Sequence, residues 1–367
     1  MMIRRLRKFP ENPMKATLRG GGRLVNCRRS CDNESVTKRF YRYSSYLKDR
    51  YKEPVYRIGI DAGFGCPNRN PDGRGGCYYC DEAGSRAAYQ EANGPHSFLR
   101  SSSGPDPDDP YWQTWMKRQI DEGGTFLSNR YGVHSFILYV QAFSGTWAPV
   151  PRLKHIYDYL LSLASFRELI VGTRPDCVDE EVVKLLSSYA SSLDMDVWLE
   201  LGLQSYHDQT LRHIGRGHDT SAFERAYETA RAGGLKCSVH LIFGLPGEDD
   251  AMMEESVCRL ARLRPDGVKI HNLHIAEGTR FAQWWREGRL QVPDTTHHLR
   301  LVADALELLP ETTVVQRVTC DTPKARLLAP VDFASKAHFY RLLDEELEKR
   351  NSYQGRRFAE CERNAPD

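Results

Sequence analysis

The feature that constrains this chain most is the repeated alternation of short apolar segments with amphipathic segments along most of its 367 residues. The apolar segments are only strand-sized, rich in Val, Ile, Leu and aromatic side chains, and bounded by turn-forming residues. Such runs are typical of buried strands, and the segments between them repeat apolar residues at helical spacing. Alternating strands and helices favour parallel strands joined by right-handed crossovers. We therefore predict an α/β fold whose sheet curls into a full or partial barrel.

The pattern places seven strands and seven helices. Strands are predicted at 56–61, 135–141, 168–172, 197–204, 236–243, 268–275 and 313–318. Helices are predicted at 41–51, 110–129, 153–164, 179–191, 221–232, 249–263 and 297–309.

Polar or glycine-rich residues follow every predicted strand. In a parallel barrel the carboxyl ends of the strands meet at one face, which is where active sites lie. Taken singly, each of these clusters is explained equally well by a turn or a surface position, but their shared location predicts a site at that face. The clusters are 61–84, 141–149, 172–176, 200–205, 240–248, 271–279 and 317–323.

The loop after the first strand carries Cys66, Cys77 and Cys80 in a C-x10-C-x2-C pattern, within a glycine-rich stretch that disfavours helix and strand. Cysteine thiolates are natural ligands for zinc and for iron. A structural zinc ion usually takes four protein ligands, and the chain has no second C-x2-C pair. The spacing alone leaves two interpretations: zinc completed by a distant residue such as His96 or Cys31, or a [4Fe–4S] cluster whose fourth iron stays open.

Charge is distributed unevenly along the chain, although the formal net charge is only +2. Residues 1–52 carry a net charge of +11 and the remainder carries −9. We predict that 1–40 forms a basic disordered arm, which could contact a polyanion such as RNA. A solvated tail, extra sequence upstream of Met14 and an organellar transit peptide are the alternatives. Cys27 and Cys31 lie in this arm without a second pair, so we assign them no role.

Composition excludes several classes of protein. The apolar runs are too short for a membrane span. The first residues contain no apolar segment of the kind found in signal peptides, so we do not expect one. Ten cysteines without a disulfide-scaffold pattern predict free thiols in a reducing cytoplasm. The chain has no G-x-S-x-G elbow, Walker loop, H-E-x-x-H motif or G-x-G-x-x-G after a strand.

Taken together, these segments resemble the radical S-adenosylmethionine (SAM) enzymes. The resemblance is to the branch of the Elongator catalytic subunit and, within it, to the YhcC/YtqA group, and it covers about residues 41–356. It implies a partial TIM-like (β/α)6 barrel with a C-terminal helical extension. The matching segments are 61–82 with its widened cysteine spacing, 141–149, 172–176, 200–205, 214–219, 242–248, 268–279, 327–330 and 350–355.

The resemblance also implies roles for individual residues. Cys66, Cys77 and Cys80 would hold a [4Fe–4S] cluster whose open iron binds the amino and carboxylate groups of SAM. His240 stands where some relatives have an acidic contact to the SAM ribose, so this sequence departs from them there. The implied SAM contacts are Tyr79 at the adenine, Ser144, Gly145 and Thr146 at the methionine part, and Gln204 and Arg216 at the ribose and carboxylate.

The implied activity is reductive cleavage of SAM at the cluster to a 5′-deoxyadenosyl radical, fed by an external electron donor of the flavodoxin or ferredoxin type. The basic arm and nucleic-acid-modifying relatives favour tRNA or rRNA as substrate. A small metabolite is the first alternative, and a zinc-stabilised, non-catalytic RNA-binding protein is the second.

Cys320, at the end of the last predicted strand, is either a catalytic thiol or a buried one. We expect four parts of the chain: the arm 1–40, the barrel 41–290, a strand and helix extension 291–350, and a tail 351–367.

Overall fold

The structure is a computed structural model, and four stretches of the chain are described in it. These are residues 38–70, 75–81, 102–320 and 322–363. Most of the predicted arm, including Cys27 and Cys31, lies outside the described residues, and so does His96.

Strands and helices mostly alternate along the described chain, although in several places two helices or two strands follow each other directly. The strands are β1 (Val55–Ile60), β2 (Ser135–Val140), β3 (Phe166–Thr173), β4 (Asp196–Gln204), β5 (Lys236–Phe243), β6 (Gly267–Asn272), β7 (Ile275–Ala276), β8 (Val314–Arg317) and β9 (Leu327–Ala329). The helices are α1 (Tyr43–Tyr51), α2 (Pro110–Tyr131), α3 (Val150–Ser162), α4 (Glu180–Leu193), α5 (Asp208–His213), α6 (Thr220–Ala232), α7 (Asp250–Arg262), α8 (Arg280–Arg286), α9 (Thr295–Leu308), α10 (Lys336–Lys349) and α11 (Phe358–Arg363).

Seven parallel strands form one curled sheet in the order β1-β2-β3-β4-β5-β6-β8. On the outer face of the sheet, alternate strand residues such as Leu199, Leu201 and Leu203 are buried in the main apolar core, beside the helices. This open half-barrel confirms the predicted α/β class and the partial TIM-like barrel. The predicted strand 268–275 is two strands, however, because the chain leaves the sheet after Asn272 and β7 pairs antiparallel with β9 instead.

Aspartates define where five of the helices begin. In each, the carboxylate accepts a hydrogen bond from a backbone amide of the first turn, which satisfies one of the donors that a helix start leaves open. Each such cap typically stabilises a helix by about 1 kcal/mol. The capping residues are Asp109 (α2), Asp179 (α4), Asp219 (α6), Asp249 (α7) and Asp294 (α9).

Helix α1 closes the amino-terminal end of the barrel with three tyrosines. The hydroxyls of Tyr43 and Tyr51 donate to Glu168 at 3.1 and 2.8 Å, and that of Tyr46 donates to Asp196 at 3.2 Å. Both acceptors lie in the first three residues of their strands, β3 and β4. The barrel is therefore blocked at this end, and its carboxyl end is the one that can admit a ligand.

Long-range packing involves residues from each of the four predicted parts of the chain. Phe40, assigned to the arm, is buried, and its ring stacks on Tyr340 at a centroid distance of 6.3 Å. Strand β8, assigned to the extension, is the seventh strand of the main sheet. Residues assigned to the tail form α11, which packs against α7 and α9.

The expectation of free thiols is wrong at one pair. Cys258 of α7 and Cys361 of α11 form a disulfide, with their Cα atoms 4.9 Å apart and 103 residues between them in sequence. Packing of the last helix on α7 brings these two thiols together, which no local spacing could indicate. No helix in the described part of the chain is long and apolar enough to cross a membrane.

Candidate cluster and cofactor site

The cysteine loop leaves the sheet from a rigid base at the end of β1. The Gln119 side chain of α2 accepts from the Asp61 amide at 2.8 Å and donates to the Asp61 carbonyl at 2.9 Å. The indole of Trp112, also on α2, donates to the Ala62 carbonyl at 2.8 Å. Further along, the Gly65 carbonyl accepts from the Ser144 amide at 3.1 Å, which ties the loop to the end of β2. The direction in which the chain enters the cysteine region is thus fixed by buried hydrogen bonds.

The three cysteines of the motif come together at the carboxyl end of the sheet. Cys77 is buried, whereas Cys66 and Cys80 are half-buried. The three thiols are close enough to interact electrostatically. A negative charge on Cys77 acts to raise the pKa of Cys66 and the pKa of Cys80. Within the described stretches, no three His, Cys, Asp or Glu side chains are grouped closely enough to hold a single metal ion.

Three guanidinium groups surround these thiols. Arg216 donates to the Cys77 sulfur at 3.3 Å, and Arg174 points to the same sulfur at 3.9 Å. Arg69 donates to the Cys80 sulfur at 3.2 Å. Arginine is the side chain best suited to a buried anionic partner, because it stays charged and offers several donors. The loop therefore has cationic donors at the sulfurs of Cys77 and Cys80 that can stabilise thiolates there.

The pKa values of the cysteines follow from this arrangement. Burial acts to raise the pKa of the Cys77 thiol, but the charges of Arg216 and Arg174 outweigh burial and lower that pKa below its ordinary value. Burial raises the pKa of Cys66, and it raises the pKa of Cys80 to about 11 despite the charge of Arg69. Cys77 is accordingly the thiol most readily ionised when the site takes up a ligand.

A glycine lets a second loop pack onto the cysteine loop. Gly215 lies in the turn after α5 with φ +65°, and a Cβ on it would lie 2.5 Å from the ring of Tyr78. The Asn68 side chain donates to the Gly215 carbonyl at 2.7 Å, and the Tyr78 amide donates to the Ile214 carbonyl at 2.9 Å. This close contact carries the next residue, Arg216, into the cysteine site.

Arg216 lies almost entirely inside the protein, with 5% of its surface exposed. One of its terminal nitrogens donates to Cys77 and the other donates to the Gly202 carbonyl at 2.6 Å. Within the described part of the chain, its Nε is buried and has no hydrogen-bond partner. An unpaired buried donor on a charged group is costly, and it commonly marks a place that a ligand completes.

Gln204 lies beside Arg216 in an unusual backbone conformation. It has φ +78° at the end of β4, where the pairing of β4 with β5 shifts register. A Cβ on Gly202 would meet both the Gln204 amide nitrogen and an Arg216 nitrogen at 2.8 Å, so any larger residue there would displace the ends of these two side chains. Strain and register shifts of this kind occur next to functional sites, where they redirect a side chain.

The predicted strand-two residues have a different arrangement. The hydroxyls of Ser144 and Thr146 are buried and both bond to the Thr173 hydroxyl, at 2.8 and 2.6 Å. The Gly145 amide donates to the Gly172 carbonyl at 2.9 Å. These contacts join the loops that follow β2 and β3. The two hydroxyls thus support the loop backbone beside the cysteine site.

Tyr79 lies within the cysteine site as well. Burial and the charge of Cys77 raise the pKa of its phenol, while the charge of Arg216 opposes them. Its ring lies 6.4 Å from that of Phe281, in an apolar cluster at the carboxyl end of the barrel.

Deeper in the barrel than the cysteine site, the interior is occupied by charged and imidazole side chains. Glu200 is ion-paired with Lys269 and with Arg57, the latter at 3.5 Å. Burial acts against its ionisation, but these two cations hold its pKa well below the ordinary value. His240 approaches Glu200 at 3.3 Å, and its ring lies 5.4 Å from that of His271.

The two imidazoles are neutral at pH 7. Burial and the charge of Lys269 lower the pKa of His240 to about 4. Burial and neighbouring His240 lower the pKa of His271 well below its usual range. Within the described residues, the buried Nε2 of His271 has no hydrogen-bond partner. A neutral pair with hydrogen-bonding capacity therefore lies between the ionic layer and the cysteine site.

Comparison with known families identifies the family of the chain. The Radical SAM superfamily model matches residues 62–258, and the Radical_SAM C-terminal domain model matches residues 265–349. The chain belongs to the radical SAM superfamily. Members of this superfamily are enzymes that use a [4Fe–4S] cluster and SAM and need an external reductant.

Relatives place the chain in the Elongator-like branch, as the resemblance implied. It is 31% identical to YtqA of Bacillus subtilis over 89% of this chain and 95% of that protein. It is 35% identical to YhcC of Escherichia coli over 78% of this chain and 84% of that protein. A tRNA uridine(34) acetyltransferase of Dehalococcoides mccartyi is 32% identical over 42% of this chain and 33% of its own length.

A solved structure shows the same fold. The archaeal Elp3 of Methanocaldococcus infernus superposes with a TM-score of 0.55 at 19% sequence identity, covering 71% of this chain and 65% of that one. The seven-stranded half-barrel described above is thus an architecture found in this branch.

The residues present fit a cluster with a SAM ligand. Three thiols lie beside three arginines, and among the described residues the buried Nε of Arg216 has no hydrogen-bond partner. Sequence reasoning selected Arg216 but gave no role to Arg69 or Arg174, although Arg174 stands in one of the polar strand ends. Only the fold shows that Arg174 reaches the sulfur of Cys77 and that Arg69 reaches the sulfur of Cys80. The SAM contacts assigned by resemblance stay predictions.

Proposed function

We propose that this protein is a radical SAM enzyme whose cluster is held by Cys66, Cys77 and Cys80. The observation that supports this most is the convergence of the three thiols with three guanidinium groups at the open end of the barrel. When bound by these three thiols, a [4Fe–4S] cluster would supply the electron for reductive cleavage of SAM to a 5′-deoxyadenosyl radical. Hydrogen bonds to the sulfurs are one means by which a protein sets the potential of such a cluster.

The chain's own residues bind and orient the SAM. The open Nε of Arg216 would donate to an anionic group of SAM, and the Gln204 amide beside it would bind the ribose. Tyr79 would lie at the adenine. Ser144, Gly145 and Thr146 would keep the loop after β2 in contact with the methionine part, because their own hydrogen bonds fix that backbone.

The barrel interior limits what can reach the reacting atoms. Helix α1 closes the amino-terminal end, and the Glu200 ion pairs fill the level above it. Water is therefore restricted from one side, and a substrate enters from the end where the cysteine loop lies. Excluding water at such a site protects a reactive intermediate from side reactions. We retain 41–290 and 291–350 as proposed units, with β8 of the second unit completing the sheet of the first.

Transfer RNA is the substrate class we favour. A relative named as a tRNA uridine(34) acetyltransferase shares part of this chain, and the first 52 residues carry a net charge of +11. Basic segments bind nucleic acid through phosphate contacts. A reductant of the flavodoxin or ferredoxin type and a cytoplasmic location complete the proposal.

The cluster assignment is tested by comparing Cys77→Ala with Cys177→Ala. After anaerobic reconstitution, we expect wild type and Cys177→Ala to hold iron and sulfide and to form 5′-deoxyadenosine from SAM under reduction. Cys77→Ala should lose both, because it lacks the thiol that Arg216 and Arg174 approach. Stoichiometric zinc without iron in wild type would refute the proposal, and so would a fully loaded Cys77→Ala variant.

The RNA assignment needs a separate measurement. Removing residues 1–37 should weaken binding of bulk tRNA and flatten the dependence of log affinity on log salt concentration, because the deletion removes basic residues that displace counterions. Equal affinity and equal salt slope for both proteins would remove RNA contact by the arm from the proposal. The oxidised protein suffices for this assay, so its outcome does not depend on SAM cleavage.

A further inference from the structure

A thiol and an imidazole form a close pair at the carboxyl end of the barrel, apart from the three motif cysteines. Cys320 follows β8, and His274 follows β6, the neighbouring strand of the sheet. The Cys320 sulfur lies 2.9 Å from Nδ1 of His274. Both side chains are half-buried. A nucleophile and a base within about 2.6–3.2 Å of each other form the arrangement that activates catalytic cysteines.

Asn272 holds this pair in place from below. Its side-chain oxygen accepts from the Cys320 amide at 3.0 Å and from the Thr319 hydroxyl at 2.9 Å. Its carbonyl lies 3.4 Å from the Cys320 sulfur. The backbone around the thiol is therefore fixed by a buried side chain. The contact with the Asn272 carbonyl places the Cys320 sulfur beside the end of β6, two residues before His274.

The imidazole is able to accept the thiol proton. Burial lowers the pKa of His274 below its ordinary value, so the ring is neutral at pH 7. In the tautomer that carries its proton on Nε2, Nδ1 of His274 can accept a hydrogen bond from the Cys320 thiol, and transfer of that proton leaves a thiolate. The thiolate, rather than the thiol, is the nucleophile in cysteine chemistry.

The pair lies beside the cysteine loop. The charges of Asp81 and Arg326 both act on His274, and these two residues form an ion pair with each other. Asp81 directly follows Cys80, the last cysteine of the motif. Cys320 and His274 therefore open toward the same end of the barrel through which a substrate would reach the cluster.

We propose that Cys320 is a nucleophilic thiol and His274 its general base, and that together they take an electrophilic carbon of the substrate. His274 Nδ1 accepts the proton from sulfur, and a sulfur lone pair forms the S–C bond. The electron pair of the attacked C=C or C=N bond moves to its far atom, which is protonated by the imidazolium. Elimination reverses these steps and returns the thiol, so no oxidant or reductant is consumed. The inference rests on the proposed function only for the identity of the substrate.

Cys177 is another half-buried thiol outside the motif, and its reactivity provides an internal comparison for Cys320. Cys177 follows β3 at the same end of the barrel, and burial raises the pKa of its thiol to about 12. The groups that influence it are Ser144, Asp176, Arg174 and Cys66, and none of them is an imidazole. If half-burial alone determined reactivity, Cys177 and Cys320 would react at similar rates.

The test is timed alkylation of the cluster-loaded, anaerobic protein with iodoacetamide, followed by peptide mass mapping. In this reaction the thiol sulfur displaces iodide and His274 takes the proton. We expect Cys320 to react at least tenfold faster than Cys177. In His274→Ala the rate at Cys320 should fall at least fivefold, and added imidazole should restore part of it. His338→Ala, which removes an exposed histidine of α10, should leave the rate unchanged.

Two results would overturn the inference: equal rates at Cys320 and Cys177 in wild type, or an unchanged rate at Cys320 in His274→Ala. The Cys177 rate in each variant serves as the folding control, because a misfolded variant would expose it and speed its labelling. Imidazole rescue separates loss of the base from a general disturbance. Formation of 5′-deoxyadenosine is measured in parallel on wild type. Its absence would count against the proposed function and would leave the labelling result standing.

Discussion

The ion pair between Glu200 and Lys269 makes a quantitative prediction about stability. The two side chains are 0% and 2% exposed, so neither charge is solvated by water. Replacing Lys269 by Met keeps much of the volume but leaves the Glu200 carboxylate buried with one cation fewer. Removing one partner of a buried ion pair typically costs about 3–5 kcal/mol. Because Arg57 stays 3.5 Å from Glu200, we expect the lower end, about 3 kcal/mol, at pH 7.

The pH dependence of this cost has a defined sign. In wild type the folded pKa of Glu200 is depressed, so its contribution to stability is present above the unfolded pKa and is lost as the pH falls through the folded pKa. Without Lys269 that folded pKa rises. The variant can then neutralise the buried charge by binding a proton, and its penalty relative to wild type should shrink between pH 7 and pH 5.

The assay is urea unfolding followed by far-UV circular dichroism at both pH values. The matched control is Lys117→Met, which breaks the exposed ion pair with Asp121 on α2 and should cost less than about 1 kcal/mol. The double variant Lys269→Met/Glu200→Gln should recover only part of the loss, because the buried carboxylate charge is gone but Arg57 loses its ion pair with Glu200. A cost for Lys269→Met no larger than that of Lys117→Met would refute the reasoning, as would a penalty that grows toward pH 5.

Two further predictions concern the packing of the cysteine site and the last helix. Gly215→Ala should lower both the free energy of unfolding and the iron content, because the new Cβ would lie 2.5 Å from the Tyr78 ring. The control is Gly234→Ala, at a position with a similar φ of +75° but open space around it. The control should lower the free energy of unfolding by only about 1 kcal/mol and should bind iron normally. Equal iron content in the two variants would contradict the clash. Replacing Cys258 and Cys361 together by Ala should lower the free energy of unfolding by about 3–5 kcal/mol, since the disulfide closes a long loop, and dithiothreitol should destabilise wild type by a similar amount. A double variant as stable as wild type, with no effect of the reductant, would show that the disulfide contributes nothing in solution.

The sheet could be predicted from the sequence because its determinants are local. Each strand is a short apolar run between turn residues, and each predicted strand end falls within three residues of the observed one, including Phe243 of β5. The exception is the segment after His271. Its apolar residues continue, but the Asn272 side chain binds the end of β8 and the backbone turns away from the sheet. A periodic pattern cannot contain that information, because the competing contact comes from 47 residues further along the chain.

The candidate site was predictable only in part, for the same reason. The cysteine spacing and the polar strand ends identify the face where chemistry takes place. They do not show which side chains converge there. Arg174 and Cys77 are 97 residues apart, and Cys320 and His274 are 46 apart. Whether such pairs meet depends on how far the sheet curls and on where each strand stops, and both properties belong to the whole barrel.

The polar interior of the barrel gives a reason why the chemistry is confined to one end. An apolar filling of the same volume would be at least as stable as a buried ion pair, so stability alone does not account for Glu200 and Lys269. The charges of Glu200 and Lys269 form a polar layer across the barrel, next to α1. The neutral imidazoles of His240 and His271 lie on the side of this layer that faces the cysteine site, and among the described residues Nε2 of His271 is buried without a hydrogen-bond partner. A polar group of a substrate that has passed the cysteine site would meet this nitrogen before the charges of Glu200 and Lys269. The cluster ligands, the imidazole pair and the Cys320 thiol would then act on different atoms of one bound molecule.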